Sequence, residues 1–90
     1  MRVTWDPAKA RVNLRKHGIR SSDAEGVLFD PLGVTIEDPM AMGEQRFVSL
    51  GRDSLRRTLV VVHAHRGGGI RLISARLATR GERRRHEEGV

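Results

Sequence analysis

Residues 58–77 read TLVVVHAHRGGGIRLISARL. Two runs rich in strand-forming residues flank Arg66–Gly69, where three consecutive glycines invite a turn, so Thr58–His65 and Ile70–Leu77 form a hairpin. The first run is apolar at nearly every position, which suits a central strand covered by helices on one face and partly covered on the other. In the second run, strict alternation sets Ile70, Leu72, Ser74 and Arg76 on one face and Arg71, Ile73, Ala75 and Leu77 on the other.

Outward from this hairpin, Val34–Glu37 and Arg46–Leu50 are further strand candidates, separated by Pro39–Gly43 and Gly51–Ser54. Three hairpins follow. Val3–Trp5 is a short edge-strand candidate ahead of Asp6, a good helix N-cap, and Pro7, which suits the first helical position. A helix runs from Pro7 to about His17 with Ala10, Asn13, Leu14 and His17 on one face, and Gly18 ends it. Ser22-Asp23-Ala24-Glu25 has a capping-box pattern and starts a second helix that Pro31 terminates. Thr79 to Glu82 repeats that pattern before RRRHEEG, which has almost no apolar stripe. The expected fold is α+β: two N-terminal helices packed on an antiparallel sheet of about four strands, with a short C-terminal helix, in one domain over residues 1–90.

The 90 residues include no cysteine, so neither a disulfide nor a thiolate metal site is open to them. No stretch approaches the roughly 20 apolar residues of a membrane span, and the first ten residues lack the apolar middle of a secretory signal; the expected location is cytoplasmic. The net charge of +6 is unevenly placed: residues 46–90 carry eleven arginines and four acids, whereas residues 1–45 are slightly acidic. Fifteen of the seventeen basic residues are arginine, whose planar fork pairs phosphate bidentately, so an anionic partner is expected. Three aromatic residues are too few for a platform that stacks a long single strand.

The segments WDPAKARVNLRKHG, LFDP, GEQRFVSLG, LVVVHAH and RLISARLATRGERRRHE, in that order, resemble the BrnT family of type II toxins. The most specific parts are Trp5-Asp6-Pro7 with Asn13, Lys16, His17 and Gly18, and Ile73-Ser74-Ala75-Arg76 followed by Glu82-Arg83. The resemblance implies a RelE-like fold and a ribonuclease that restrains growth. It also implies a BrnA-like antitoxin with a ribbon-helix-helix part, two of each chain in the complex, and operator DNA bound only through the antitoxin. One position departs: His86 stands where the family commonly has a tyrosine.

Metal-free RNA cleavage needs a base near the 2′-hydroxyl, cations around the phosphate, and an acid for the departing 5′-oxygen. Arg76 and Arg46, each on a candidate strand, are the expected phosphate clamps. Glu82 and Glu44 are the candidate bases, and His86 is either a proton donor or a surface residue; His63 and His65 are further proton-exchange candidates. Lys16, Arg71, Arg80, Arg83 and Arg84 are expected to contact RNA, with no metal and no cofactor. Plainer readings stand beside these: Glu44 and Arg46 as a surface ion pair, Glu82 as a capping residue only, Trp5 as a core residue. A non-catalytic nucleic-acid-binding or corepressor module is the alternative function.

Overall fold

The computed structural model describes residues 2–88. Its elements are β1 (Val3–Trp5), α1 (Pro7–His17), α2 (Ser21–Ala24) with a 3-10 helix at Glu25–Phe29, β2 (Val34–Glu37), β3 (Phe47–Arg52), β4 (Thr58–Arg66), β5 (Gly69–Leu77) and α3 (Arg80–Glu88). The sheet has five strands in the order β1-β5-β4-β3-β2. The three expected hairpins form, but β1 joins β5 in parallel, so the sheet is mixed and five-stranded rather than antiparallel and four-stranded. The reason is topological: α1 follows β1 and carries the chain across the sheet, a crossover that parallel neighbours require. No described helix is long and apolar enough to cross a membrane.

Helix α1 matches its sequence signals closely. Asp6 Oδ1 accepts from Ala8 N and Lys9 N at 2.8 and 3.3 Å, and Gly18, at φ 73°, closes the helix by donating to Leu14 O. The second helix departs from expectation. Its N-cap is Arg20, with no side-chain cap, and only Ser21–Ala24 is α-helical before the chain tightens into the 3-10 segment. The Ser22–Glu25 box is not made, because the neighbouring Asp23 is tied to the β3–β4 turn instead: its Oδ1 accepts from Ser54 Oγ at 2.9 Å and its carbonyl from Ser54 N.

The core lies between the helices and one face of the sheet: Ile19, Ala24 and Val27 meet Leu59, Val61, Leu72 and Ala75, with Trp5 packed against them. Leu72 and Ala75 differ by an odd number of positions, so they share a face only through a bulge. The register supplies it, since Val62 pairs with Ser74 but His63 pairs with Leu72, leaving Ile73 unpaired against β4. The bulge overturns the strict alternation expected for this strand. Ser74 and Arg76 are thereby turned to the face opposite Leu72.

The 3-10 helix presses its backbone against the β3–β4 turn. A Cβ on Gly26 would stand 2.8 Å from Ser54 N, closer than backbone permits. Gly26→Ala is therefore expected to lower stability by about 1–3 kcal/mol, measured by urea unfolding, with the loss absent if the turn gives way freely.

Candidate functional site

Arg76 leaves β5 opposite Val60 on the face that the N-terminal helices leave open. The chain then turns at once into α3 through a reciprocal cap in which Glu82 N donates to Thr79 Oγ1 and Thr79 N donates to Glu82 Oε1. This cap returns Glu82 to Arg76. Arg76 Nη1 and Nη2 donate to Glu82 Oε1 and Oε2 at 2.9 and 3.0 Å, a bidentate pair whose side chains are 42% and 34% exposed. The capping reading of Glu82 is thus met, and the same carboxylate is the partner of Arg76.

The arginine's hydrogen bonds, with that from Thr79 N, hold the Glu82 carboxyl down at about 2 from its ordinary 4.5. The same pairing raises Arg76. Because the folded value is depressed, the contribution of Glu82 to stability is present above about pH 4.5 and is lost as pH falls toward 2. Acid titration is expected to loosen α3 in that window; Glu82→Gln removes the dependence, read from the helical circular dichroism of wild type and variant.

A second guanidinium–carboxylate pair lies on the same face. Arg71, opposite Ala64, donates through Nη2 to both oxygens of Glu44, one of them at 2.8 Å. Its hydrogen bond, with smaller help from the charges of Arg66 and Arg46, keeps the Glu44 carboxyl below the ordinary range. Glu44 is therefore the partner of Arg71, and the expected Glu44–Arg46 ion pair does not form. Arg46 falls one residue before β3, with its Nε buried and unpartnered. Four residues of β4 separate the positions opposite Arg76 and Arg71, so the two pairs are about 13 Å apart along the strand. The expected catalytic residues are thus divided between two clusters.

His86 does not join either. It is 3% exposed beneath α3, with Nε2 3.2 Å from Asp30 Oδ2, an oxygen that also accepts from Arg52 N. Neither a proton donor on the open face nor an incidental surface group, it anchors the helix. Helix α3 has no apolar side chain, and among the described residues its polar side-chain contacts to the rest of the fold beyond the Thr79 cap are this one and Arg76–Glu82. His86→Ala should accordingly cost about 1–3 kcal/mol and reduce α3 helicity while the sheet stays intact, measured by amide exchange along α3.

His63 is also remote from Arg76, on the helix-bearing face. Its Nε2 is 2.8 Å from Ser49 Oγ, which in turn meets Thr35 Oγ1 at 2.7 Å, and burial with a neighbouring His65 pushes its pKa down. Of the expected RNA contacts, Lys16 lines a groove between α1 and Ile73–Ser74, while Arg80, Arg83 and Arg84 are exposed on α3. Arg83 also borders an open cleft of about 280 Å³ with Arg52, Arg56 and Arg57. That arginine group and Asp30 are absent from the sequence-derived set. The turn GRDSLRR does display the arginines, but nothing in it says that the hairpin brings them under α3.

No curated protein matches the chain. Among solved structures, the Brucella abortus ribonuclease toxin BrnT is similar: 24% identical, with a TM-score of 0.66, over 89% of this chain and 99% of that one, which establishes the likeness of fold. The family model described as the ribonuclease toxin BrnT of type II toxin–antitoxin systems matches residues 5–82, a span that runs from the last residue of β1 through the Arg76–Glu82 pair. With that match over most of its length, the chain belongs to the BrnT family.

Proposed function

We propose that this protein is a single-domain toxin that cleaves RNA without a metal ion, through attack of a ribose 2′-hydroxyl on the adjacent phosphate. The observation that carries the proposal is the Arg76–Glu82 pair, held bidentately yet more than a third exposed for each partner when averaged, on the sheet face that the N-terminal helices leave open. Arg76 receives the phosphate, whose oxygens match the fork now filled by the carboxylate. Glu82, displaced from the guanidinium, loses the arginine's hydrogen bonds, the largest cause of its depressed value, and rises toward 4.5, becoming a better base. It takes the 2′-hydroxyl proton as the 2′-oxygen bonds to phosphorus. The bond from phosphorus to the 5′-oxygen breaks, and solvent water protonates the departing oxygen. The products are a 2′,3′-cyclic phosphate and a 5′-hydroxyl.

Arg71 with Glu44, and Arg80, Arg83 and Arg84 on α3, extend the cationic surface along which RNA is held; Arg46 supports the Glu44 loop rather than touching the reacting phosphate. In the cytoplasm the toxin is neutralised by a BrnA-like antitoxin in a complex of two with two. That complex represses its own operon, with operator DNA held by the ribbon-helix-helix part of the antitoxin.

The test is incubation of antitoxin-free protein with a defined RNA in EDTA. Cyclic phosphate ends, lost when the nucleotide at the cut carries a 2′-deoxyribose, are expected; 5′-phosphate ends or full inhibition by EDTA would contradict the mechanism. One observation favours a second reading, binding without cleavage: in the free protein Glu82 is a weak base, and the two buried histidines, His63 and His86, are not available at Arg76. Salt-sensitive RNA binding with no product would identify that case.

A further inference from the structure

The outer strand β2 is a bare edge. All four residues, Val34–Glu37, are exposed, Val34 by 48% and Ile36 by 61%. Its inner side is engaged with β3 in a register that continues to Asp38, whose N–H donates to Arg46 O at 2.8 Å. Antiparallel pairs alternate between bonded and non-bonded, so Val34, Ile36 and Asp38 direct their backbone groups to β3, and Thr35 and Glu37 direct theirs outward. Two N–H donors and two carbonyl acceptors therefore stand ready at the spacing of an added strand.

Beside this edge, on the face that carries Arg76, lies an apolar groove of about 190 Å³. Val34, Ile36, Val48 and Leu50 line it, and Glu82 and Arg85 of α3 close its far side. Just past β2, Met40 and Met42 are 82% and 92% exposed, extending the apolar surface with flexible side chains. Three features define what fits here. The free backbone groups call for an extended segment rather than a helix. Alternate side chains of that segment must be apolar to enter the groove. On the α3 side of the groove, where Glu82 is already paired with Arg76, Arg85 calls for an acidic neighbour. Glu37 and Asp38 disfavour one at their end of the edge, and the +6 charge of the chain disfavours a second copy of this toxin.

We propose that β2 is the docking edge for an extended, alternately apolar segment of the antitoxin, with an acidic residue toward Arg85, which adds a sixth strand and lays side chains in the groove between β2 and α3. The inference rests on the toxin reading above. Seated there, the segment borders Glu82 and obstructs the approach of RNA to Arg76.

The experiment compares amide hydrogen exchange in the free toxin and in the complex purified after co-expression with its antitoxin, together with Glu37→Pro. That substitution removes one outward donor and leaves the β3 ladder whole, a position where an edge strand tolerates proline. At Thr35 and Glu37 the expected result is at least tenfold slower exchange in the complex. Glu37→Pro should keep wild-type folding and RNA cleavage and bind the antitoxin at least tenfold more weakly. Complex formation with unchanged exchange at Thr35, or an undiminished affinity for Glu37→Pro, would overturn the docking inference alone. A free toxin that dimerises through β2 would also overturn it. Failure of the wild-type chain to bind any antitoxin would overturn both this inference and the toxin reading.

Discussion

Arg76→Ala is expected to lower RNA cleavage by about 100- to 1,000-fold, the range seen when one preorganised donor is taken from developing negative charge. The protein should remain folded. The Arg76–Glu82 pair is partly exposed on both sides, so solvent screens it and its removal costs stability no more than about 1 kcal/mol. Glu82 keeps its hydrogen bond from Thr79 N, which preserves the start of α3. The Arg71 pair, about 13 Å away, is too distant to take over the reacting phosphate. Arg76→Lys should recover a minor part of the activity, because a point charge attracts phosphate but lacks the two-pronged fork. Single-turnover cleavage rates, with circular dichroism and thermal melting on the same samples, separate the chemical loss from unfolding. Activity within a few-fold of wild type in folded Arg76→Ala would remove Arg76 from the site.

Asn13→Ala should produce the largest loss of stability. Where β1 stops after three residues, β5 would be left with an unpaired edge beside α1; the Asn13 carboxamide supplies the missing strand. Its Oδ1 accepts from Ala75 N and its Nδ2 donates to Ala75 O, both at 3.0 Å, and Nδ2 also reaches Ile19 O at 3.3 Å. Asn13 and Ala75 are buried, so truncation strands backbone groups away from water at about 1–3 kcal/mol each. The total for the two Ala75 groups, about 2–6 kcal/mol, is a large part of the 5–15 kcal/mol that holds a typical domain folded. For a chain of this size it corresponds to a fall in melting temperature of about 10–30 °C, read by calorimetry. Asn13→Asp keeps the acceptor but loses the donor, and should be no better. Leu14→Ala, one position along at a site 38% exposed, should cost far less, and equal losses at the two positions would contradict the clasp.

The sequence made α1 and the three hairpins legible because their signals are local: Asp6, Pro7 and Gly18 mark the helix, and the turns at Pro39–Gly43 and Arg66–Gly69 mark strands. Gly51, expected to open the third turn, instead lies inside β3, and the turn there is the glycine-free 53–57. It did not show the bulge at Ile73, since ISAR alternates as readily as any strand and only the competing demand to bury both Leu72 and Ala75 forces the extra residue. The same limit governs the site. The Thr79–Glu82 cap was readable from spacing, but its consequence, Glu82 folded back onto Arg76, depends on that bulge setting the arginine's face. Glu44 and Arg46 look like partners because they are two apart. Arg71, 27 positions away, wins because the fold brings its Nη2 within reach of both carboxylate oxygens. His86 reads as a surface residue in RRRHEEG, and its burial follows from Asp30, which no local pattern connects to it.

The central claim is that Glu82 yields Arg76 to a phosphate and thereby becomes a base. Its most direct measurement is the carboxyl titration of Glu82, followed by carbon NMR, without and with a saturating 2′-O-methyl oligonucleotide that binds but cannot be cut. Free protein should show no Glu82 titration above about pH 3, in keeping with a value of about 2. The bound form should titrate well above that value, toward the ordinary 4.5. An unchanged Glu82 titration in the saturated complex would mean that Arg76 keeps its carboxylate, and that the phosphate is bound elsewhere.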